Sequence, residues 1–162
     1  MKMEKRNKAS FVRKMIIKLS TLILIVFGVA TLIVLANCQK PTIEPVSIET
    51  NDMCSFCKMS ISEKQYAAEL IDEDGQAFKF DDIGCMSNFV KQKKNKTSIR
   101  ATFVMDFDRR DWLKGEEAFY VRSSEFNTPM NGGIVAFKSQ SSAEDAEAKF
   151  HGTLLRFTEV IK

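Results

Sequence analysis

The sequence predicts an α+β protein in which two tandem ββαβ units follow an N-terminal membrane anchor. Three observations predict this architecture. A basic N-terminal segment precedes an uncharged apolar run over residues 19–36, and short apolar segments beyond it alternate with two amphipathic ones. In addition, two stretches match at one constant spacing: Gly75-Gln-Ala-Phe-Lys-Phe80-Asp-Asp and Gly132-Gly-Ile-Val-Ala-Phe137-Lys-Ser.

The charge of the chain is concentrated at its N-terminus. The formal net charge is +3 and the first 18 residues alone carry +6, so the remaining residues carry 3 − 6 = −3. The residues responsible are Lys2, Lys5, Arg6, Lys8, Arg13, Lys14 and Lys18, against Glu4. The mildly acidic remainder shows no basic stripe with interleaved aromatic residues, and we therefore expect no nucleic-acid partner.

Residues 1–38 are predicted to be a leader or a membrane anchor. A basic segment followed by an apolar run is typical of both. The run ends in Leu35-Ala36-Asn37-Cys38, which resembles a bacterial lipobox, with Asn37 where Gly, Ala or Ser is usual. Two alternatives stay open: cleavage with lipidation of Cys38, or an uncleaved helix, because a run of about 18 apolar residues can just span a bilayer. Both place the rest of the chain at the cell membrane, facing outside the cytoplasm.

Residues 39–51 contain two prolines and no periodicity, and are predicted to be a tether. The first unit, about 52–107, is predicted to contain strands at 67–71, 77–80 and 99–106, a hairpin turn at Asp74-Gly75 and a helix near 83–93. Asp82 is the candidate N-cap of this helix. Its apolar face consists of Ile83, Met86, Phe89 and Val90.

The second unit, about 116–162, is predicted to repeat this order. It contains strands at 118–122, 134–138 and 154–160, a longer loop between the first two strands, and a helix near 143–151. Ser141 and Glu144 resemble a capping box, and Gly152 is expected to end the helix. The inner face of the helix consists of Ala143, Ala146 and Phe150.

The sharpest chemical feature is the motif Cys54-Ser-Phe-Cys57-Lys-Met59. Two thiolates in a C-x-x-C spacing can converge on one ion, and the thioether adds a third soft donor. Soft sulfur ligands favour Cu(I). A structural zinc site usually has four ligands, whereas this chain has no second C-x-x-C pair and a single histidine. The motif therefore indicates a Cu(I) site.

A redox role for the same pair is the alternative. Cysteines outside the cytoplasm are often oxidised, and C-x-x-C pairs also perform thiol–disulfide exchange. A membrane-tethered oxidoreductase using Cys54 and Cys57 would be an enzyme, whereas a metal carrier would not. Redox C-x-x-C motifs usually begin a helix, and this one precedes a strand hairpin.

Cys85 and Met86 lie at the start of the first predicted helix, after Asp81 and Asp82. Cys85 is either a further ligand or reactive thiol, or a small buried residue. Met86 lies on the apolar face, which favours core packing over ligation. Of the two carboxylates, we expect one to cap the helix and the other to be solvated.

Two further residues are candidate ligands. Met130 lies in the polar loop Pro129-Met130-Asn131-Gly132-Gly133, where a thioether is either a metal ligand or an ordinary loop residue. His151 ends the second predicted helix, a position at which the helix dipole stabilises a histidine without any metal.

The ordered set of motifs resembles the NosL family over nearly all of the chain after the tether. The motifs are Cys54-x-x-Cys57-x-Met59-x-Ile61, Ala67-Ala68-Glu69, Asp74-Gly75, Phe80-Asp81-Asp82-Ile83-Gly84-Cys85-Met86, Asp106-x5-Trp112, Ala118-x-Tyr120-Val121, Pro129-Met130 and Ala136-Phe137. Cys57 and Met59 match the family's Cys-Gly-Met element, with Lys58 in place of Gly. Met130 matches its Pro-Met-Gly loop, with Asn131 in place of Gly.

The resemblance implies a lipid-anchored Cu(I) chaperone outside the cytoplasm, with a fold similar to the organomercury lyase MerB. It implies delivery of copper for the maturation of nitrous oxide reductase, an enzyme of denitrification, or of a related copper enzyme. A copper-enzyme client and a membrane transporter complex are the implied partners. The fold likeness does not imply carbon–mercury cleavage.

Overall fold

The computed structural model describes residues 42–93 and 98–161. The predicted leader with Cys38 and the first residues of the predicted tether lie outside these ranges. Within them, no helix combines the length and the apolar character needed to cross a membrane. The predicted α+β class and the two ββαβ units are confirmed, since each unit contributes one antiparallel sheet and one long helix.

The first sheet has the strand order β2-β1-β3-β4. Its strands are β1 (Ala68–Asp72), β2 (Ala77–Phe80), β3 (Ile99–Met105) and β4 (Trp112–Lys114), and helix α1 (Ile83–Gln92) follows β2. The three residues of β4 are too few to show alternation, and the sequence analysis missed this strand. The hairpin turns where predicted: the Gly75 N–H donates to the Asp72 carbonyl, and Gly75 has a φ of +81°, which side chains disfavour.

The second sheet has the order β6-β5-β7. It consists of β5 (Phe119–Arg122), β6 (Ile134–Phe137) and β7 (Thr153–Leu155), with α2 (Gln140–Lys149) after β6 and a short α3 (Phe157–Val160) at the end. The two sheets join where Asp106 bridges Ala136 and the Phe107 N–H donates to the Ala136 carbonyl, 2.9 Å away. The repeat therefore forms two small sheets that meet through β3 and β6.

Two predicted details of the second unit are wrong. Helix α2 does not begin with a Ser141–Glu144 capping box, because Ser139 Oγ accepts the Ser142 N–H at 3.1 Å and starts the helix earlier. The strand predicted at 154–160 ends at Leu155. Phe157 and Val160 are three residues apart, the spacing of a helical turn, and α3 buries Val160 completely.

The C-terminal cap of α2 differs from the prediction in the residue that takes the left-handed conformation. The helix ends at Lys149, and His151 rather than Gly152 takes the left-handed conformation, with a φ of +47°. The Gly152 N–H donates to the Glu147 carbonyl at 2.9 Å, which closes a Schellman-type end. A Cβ on Gly152 would lie 2.6 Å from Val121 Cγ1, so close packing explains the glycine.

Both helices bury the faces predicted for them. The larger core includes Leu70, Ile83, Phe80, Met86, Phe89, Tyr120 and Ala136, and Val90 packs against it. The smaller core contains Val121, Phe126, Val135, Phe137, Ala143 and Ala146, and Phe150 packs against it. Tyr120 and Ala136 belong to the second unit, so the larger core holds the two units together.

Residues 43–52, here called the strap, contact the first sheet. The Val46 N–H donates at 2.9 Å to Oε1 of Glu69, a fully buried β1 residue whose pKa is raised by burial. Lys79 Nζ donates to the Ser47 carbonyl and to Asp52 Oδ2, both at 2.6 Å. These bonds fix the backbone that leads directly into the first cysteine of the C-x-x-C motif.

Candidate metal centre

The C-x-x-C motif lies in a closed loop, residues 53–60, beside the end of β2. The Cys54 N–H donates to the Met59 carbonyl at 2.8 Å, and the Lys58 N–H donates to the Cys54 carbonyl at 3.0 Å. Lys58 has a φ of +65°, a conformation that favours glycine. The Ser55 N–H donates to the Lys79 carbonyl at 2.7 Å, which ties the loop to β2. The loop therefore lies next to the junction between β2 and α1.

Four side chains converge at this junction: Cys54, Cys57, Asp81 and Cys85. Their sulfur atoms and one carboxylate oxygen all lie within 4.8 Å of one another. A metal–sulfur bond is about 2.3 Å long for zinc, so one ion at the centre of such a group can reach every donor after small movements. We call these residues the thiol cluster. Cys54 and Cys85 are buried, whereas Cys57 is partly exposed.

The two carboxylates after β2 have different roles, and only one of them was predicted. Asp82 is the N-cap of α1: its Oδ1 accepts the Cys85 N–H at 2.7 Å. Asp81 is 2% exposed, so the expectation that the other carboxylate is solvated is wrong. Asp81 Oδ1 accepts the Asp82 N–H at 3.0 Å, and its Oδ2 accepts the Cys57 thiol at 3.2 Å.

The three thiols of the cluster hold their protons differently. A hydrogen bond from the Cys85 thiol lowers the pKa of Cys54 to about 6, although burial acts in the opposite direction. The same hydrogen bond, with burial, raises the pKa of Cys85 well above its usual range. Burial raises the pKa of Cys57 to about 11, and hydrogen bonds to Asp81 and Cys54 add to this. The lowered pKa of Cys54 and the raised pKa values of Cys57 and Cys85 make Cys54 the cysteine of the cluster that most readily becomes a thiolate.

The loop from the second unit reaches the same junction. The Met130 N–H donates to Asp82 Oδ2 at 3.2 Å. In the same loop, a Cβ built on Gly132 would lie 3.1 Å from Gly84 Cα. The loop backbone therefore packs directly on the first turn of α1. Met130 and Met59 are both exposed, at 42% and 55%. The structure thus brings the backbones of Met59 and Met130 next to the cluster, and both side chains are exposed.

Two of the weaker candidate ligands have contacts that require no metal. Met86 is fully buried on the apolar face of α1, where packing accounts for it. His151 is exposed and its Nδ1 lies 2.8 Å from Glu125 Oε1. The group of metal-competent side chains found among the described residues does not include His151. Cys85, in contrast, is both buried and part of the cluster.

Asp81 is the cluster member that the sequence analysis missed. The sequence contained a signal for Asp81, because this residue directly follows the buried end of a strand and precedes the N-cap of the helix. A carboxylate pair in sequence does not reveal which member turns inward. That depends on the loop that packs against the pair, and this loop is 24 residues away in the chain at Cys57.

Comparisons with known proteins relate this chain to one family. A sequence model of the NosL family matches residues 45–162. The crystal structure of the copper chaperone NosL from Shewanella denitrificans is similar, with a TM-score of 0.67 and 20% sequence identity. The similarity covers 74% of this chain and 96% of that chain, and at this identity it establishes the fold. No curated protein sequence matches the chain significantly.

Proposed function

Because the chain belongs to the NosL family, we propose that it is a metallochaperone that binds one Cu(I) ion and passes it to a partner protein. One observation carries the proposal: three thiols and a carboxylate lie within 4.8 Å of one another at the edge of a NosL-like domain. Thiolate sulfur is a soft donor that selects Cu(I). The crystal structure that shares this fold is described as a copper chaperone.

In the proposed site, Cys54 and Cys57 bind the ion as thiolates and Cys85 completes a three-sulfur set. Cys54, whose pKa is lowered, gives up its proton to bind the ion more readily than Cys57 and Cys85, whose pKa values are raised. Asp81 holds the Cys57 sulfur in place through its hydrogen bond. Cys57 is the partly exposed member, and ligand exchange with a partner proceeds through it. Met59 and Met130 are thioether ligands at the solvent side.

Zinc is the competing metal, because three cysteines and one carboxylate can complete a tetrahedral site. Exposed methionines on the two loops beside the cluster favour copper, since thioethers suit soft Cu(I) and are uncommon zinc ligands. Metal analysis of protein purified under reducing conditions tests this. We expect copper after growth with copper, and an excess of zinc over copper would contradict the proposal.

The site assignment is tested by competition for Cu(I) with a chromophoric chelator. The double variant Cys54→Ser/Cys57→Ser is expected to lose more than about tenfold in affinity, because a hydroxyl is a hard and poor ligand for Cu(I). His151→Ala is the matched control and should retain the wild-type affinity. A loss smaller than tenfold in the double variant would refute the assignment.

A thiol–disulfide oxidoreductase remains the second candidate, because three convergent thiols also allow disulfide exchange. An insulin-reduction assay on the metal-free protein distinguishes the two. We expect no turnover above a Cys54→Ser control. Turnover that depends on Cys54, together with weak Cu(I) binding, would favour the enzyme.

We further propose that the domain is held at the outer face of the cell membrane and supplies copper for nitrous oxide reductase or a related copper enzyme. The basic segment, the apolar run and the lipobox-like Cys38 support this location. Labelling with a fatty-acid analogue should depend on Cys38 if it is lipidated. Deletion of the gene should lower the copper content of the reductase. Neighbouring genes for a copper transporter and for the reductase would support the proposed client.

A further inference from the structure

Lys79, on strand β2, contacts the chain on both sides of Cys54. Its side-chain Nζ donates to Asp52 Oδ2 at 2.6 Å, two residues before the cysteine. Its backbone carbonyl accepts the Ser55 N–H at 2.7 Å, one residue after the cysteine. Cys54 is 0% exposed and is the most buried member of the thiol cluster. A single residue of the sheet therefore holds the backbone that carries this sulfur.

The contact between Lys79 and Asp52 is a sheltered ion pair at the base of the C-x-x-C loop. The Lys79 side chain is 16% exposed and that of Asp52 is 27% exposed. The Asp52 carbonyl accepts the Ile61 N–H at 3.0 Å, which joins the two ends of the loop. A charge-assisted hydrogen bond in such a place restrains the backbone more than an exposed pair does, because water competes less for both groups. Loss of the Lys79 ammonium would therefore loosen the loop at its base.

The other two thiols of the cluster are held by different residues. Asp81 accepts the Cys57 thiol at 3.2 Å, and Asp82 accepts the Cys85 N–H at 2.7 Å. The backbone N–H and carbonyl of Cys54 instead bond within the C-x-x-C loop. The position of its backbone relative to β2 therefore depends on how the loop is attached to that strand, and the two contacts described above attach it on either side of the cysteine.

We propose that Lys79 is a positioning residue for Cu(I) binding, which holds the Cys54 sulfur in place for an ion shared with the other two thiols. This inference rests on the proposed function. A protonated amine has no lone pair for a metal, so Lys79 acts through Asp52 and the loop rather than as a ligand. Donors that are already in place bind an ion more tightly than donors that must first be ordered, because ordering them costs entropy.

The test measures the Cu(I) affinity of the full-length protein in detergent micelles, by competition with a chromophoric chelator. Lys79→Met removes the ammonium and keeps the apolar stem, whereas Asp52→Ala removes the acceptor. We expect each variant to bind about fivefold more weakly, and the double variant to lie within about twofold of the single variants, because all three break one contact. A simple effect of charge would instead shift the two single variants in opposite directions, since one loses a positive and the other a negative charge.

Two further variants separate positioning from a general contribution to the fold. Lys114→Met is the matched control, because Lys114 belongs to the same sheet and pairs with Glu117 at 3.3 Å. It should keep the wild-type affinity. Lys79→Arg keeps the charge and the donors, and should recover most of the affinity that Lys79→Met loses. Urea unfolding of the metal-free proteins is measured in parallel, because a merely structural residue changes the unfolding free energy and leaves the affinity of the folded protein unchanged.

Wild-type affinity in a folded Lys79→Met variant would overturn the proposal, and so would opposite shifts in Lys79→Met and Asp52→Ala. If Lys79→Met does not fold, Asp52→Ala decides the matter, and wild-type affinity in that variant would likewise overturn the proposal. Failure of the wild-type protein to compete for Cu(I) at all is a different result, because it refutes the proposed function itself.

Discussion

The two units contain the same strand–helix junction, but only one of them is a candidate metal centre. Strands β2 and β6, and helices α1 and α2, have bounds that all differ by 57: 77 and 134, 80 and 137, 83 and 140, 92 and 149. Even the caps correspond. Asp82 accepts the Cys85 N–H, and Ser139, 57 residues later, accepts the Ser142 N–H. The backbone scaffold is therefore shared.

The surroundings of the two junctions differ. Asp82 is fully buried, because the 53–60 loop and the 123–133 loop pack around it, whereas Ser139 is exposed. The connection between β5 and β6 spans residues 123–133, compared with 73–76 between β1 and β2. This extra length allows Met130 to reach Asp82 in the other unit. A capped helix start becomes a candidate metal centre only where other segments enclose it and supply sulfur.

Removing the two caps should show the largest difference between the junctions. Asp82→Ala is expected to lower the free energy of unfolding by about 2–3 kcal/mol, because it leaves the buried Cys85 N–H and the part-buried Met130 N–H without their acceptor. Ser139→Ala should cost about 0.5–1 kcal/mol, because water can replace an exposed cap. Urea denaturation of both variants measures this. Equal losses would mean that burial of the first junction does not matter to stability.

The close approach of the two units at Gly132 can be broken directly. Gly132→Ala would place a Cβ 3.1 Å from Gly84 Cα. We expect a cost of about 1–2 kcal/mol, because backbone must shift to relieve the overlap. Gly75→Asn is a suitable control, since nothing lies within 4 Å of a Cβ there and asparagine tolerates its positive φ. Thermal unfolding is the measurement, and an unchanged midpoint for Gly132→Ala would contradict the packing.

Cys85→Ser gives the first junction the residue that the second junction has at the equivalent position, Ser142. We expect Cu(I) affinity to fall about tenfold, or about 1.4 kcal/mol, with the fold retained. Chelator competition measures the affinity, and Ser142→Ala should leave it unchanged. Wild-type affinity in Cys85→Ser would show that the ion is held without this thiol.

The lowered pKa of Cys54 at the first junction predicts that the stability of the fold depends on pH. The second junction has no equivalent cysteine. The hydrogen bond from the Cys85 thiol lowers the pKa of Cys54 from its ordinary value of 9.0 to about 6. The unfolded chain binds one more proton than the folded chain above pH 6, so metal-free protein should become more stable from pH 6 to about pH 8, by up to about 1.4 kcal/mol per pH unit. Nearer pH 9 the raised pKa values of Cys57 and Cys85 act in the opposite direction. Denaturation under reducing conditions at pH 6.5 and 7.5 tests this. Cys54→Ser should lose the effect, whereas Ser142→Ala should keep it.

Sequence periodicity predicted most of the strands and both long helices because each buries a continuous apolar face. It failed where local and tertiary forces compete. The Ser141–Glu144 pattern has the composition of a capping box, but Ser139 caps the helix because β6 ends two residues before it, at Phe137. The apolar residues after Gly152 suggest one long strand, and burial of Val160 instead turns its end into α3.

The chemistry of the site was likewise only partly visible in the sequence. The sequence contains the soft donors Cys54, Cys57 and Met59 at a characteristic spacing. This motif by itself indicates sulfur coordination. The sequence also determined the repeat, the Asp82 cap and the family. Only the tertiary structure decided that Cys85 and Asp81 join the cysteine pair while His151 stays apart. The reason is physical: long-range packing of two loops on one helix start selects which polar side chains leave water and meet.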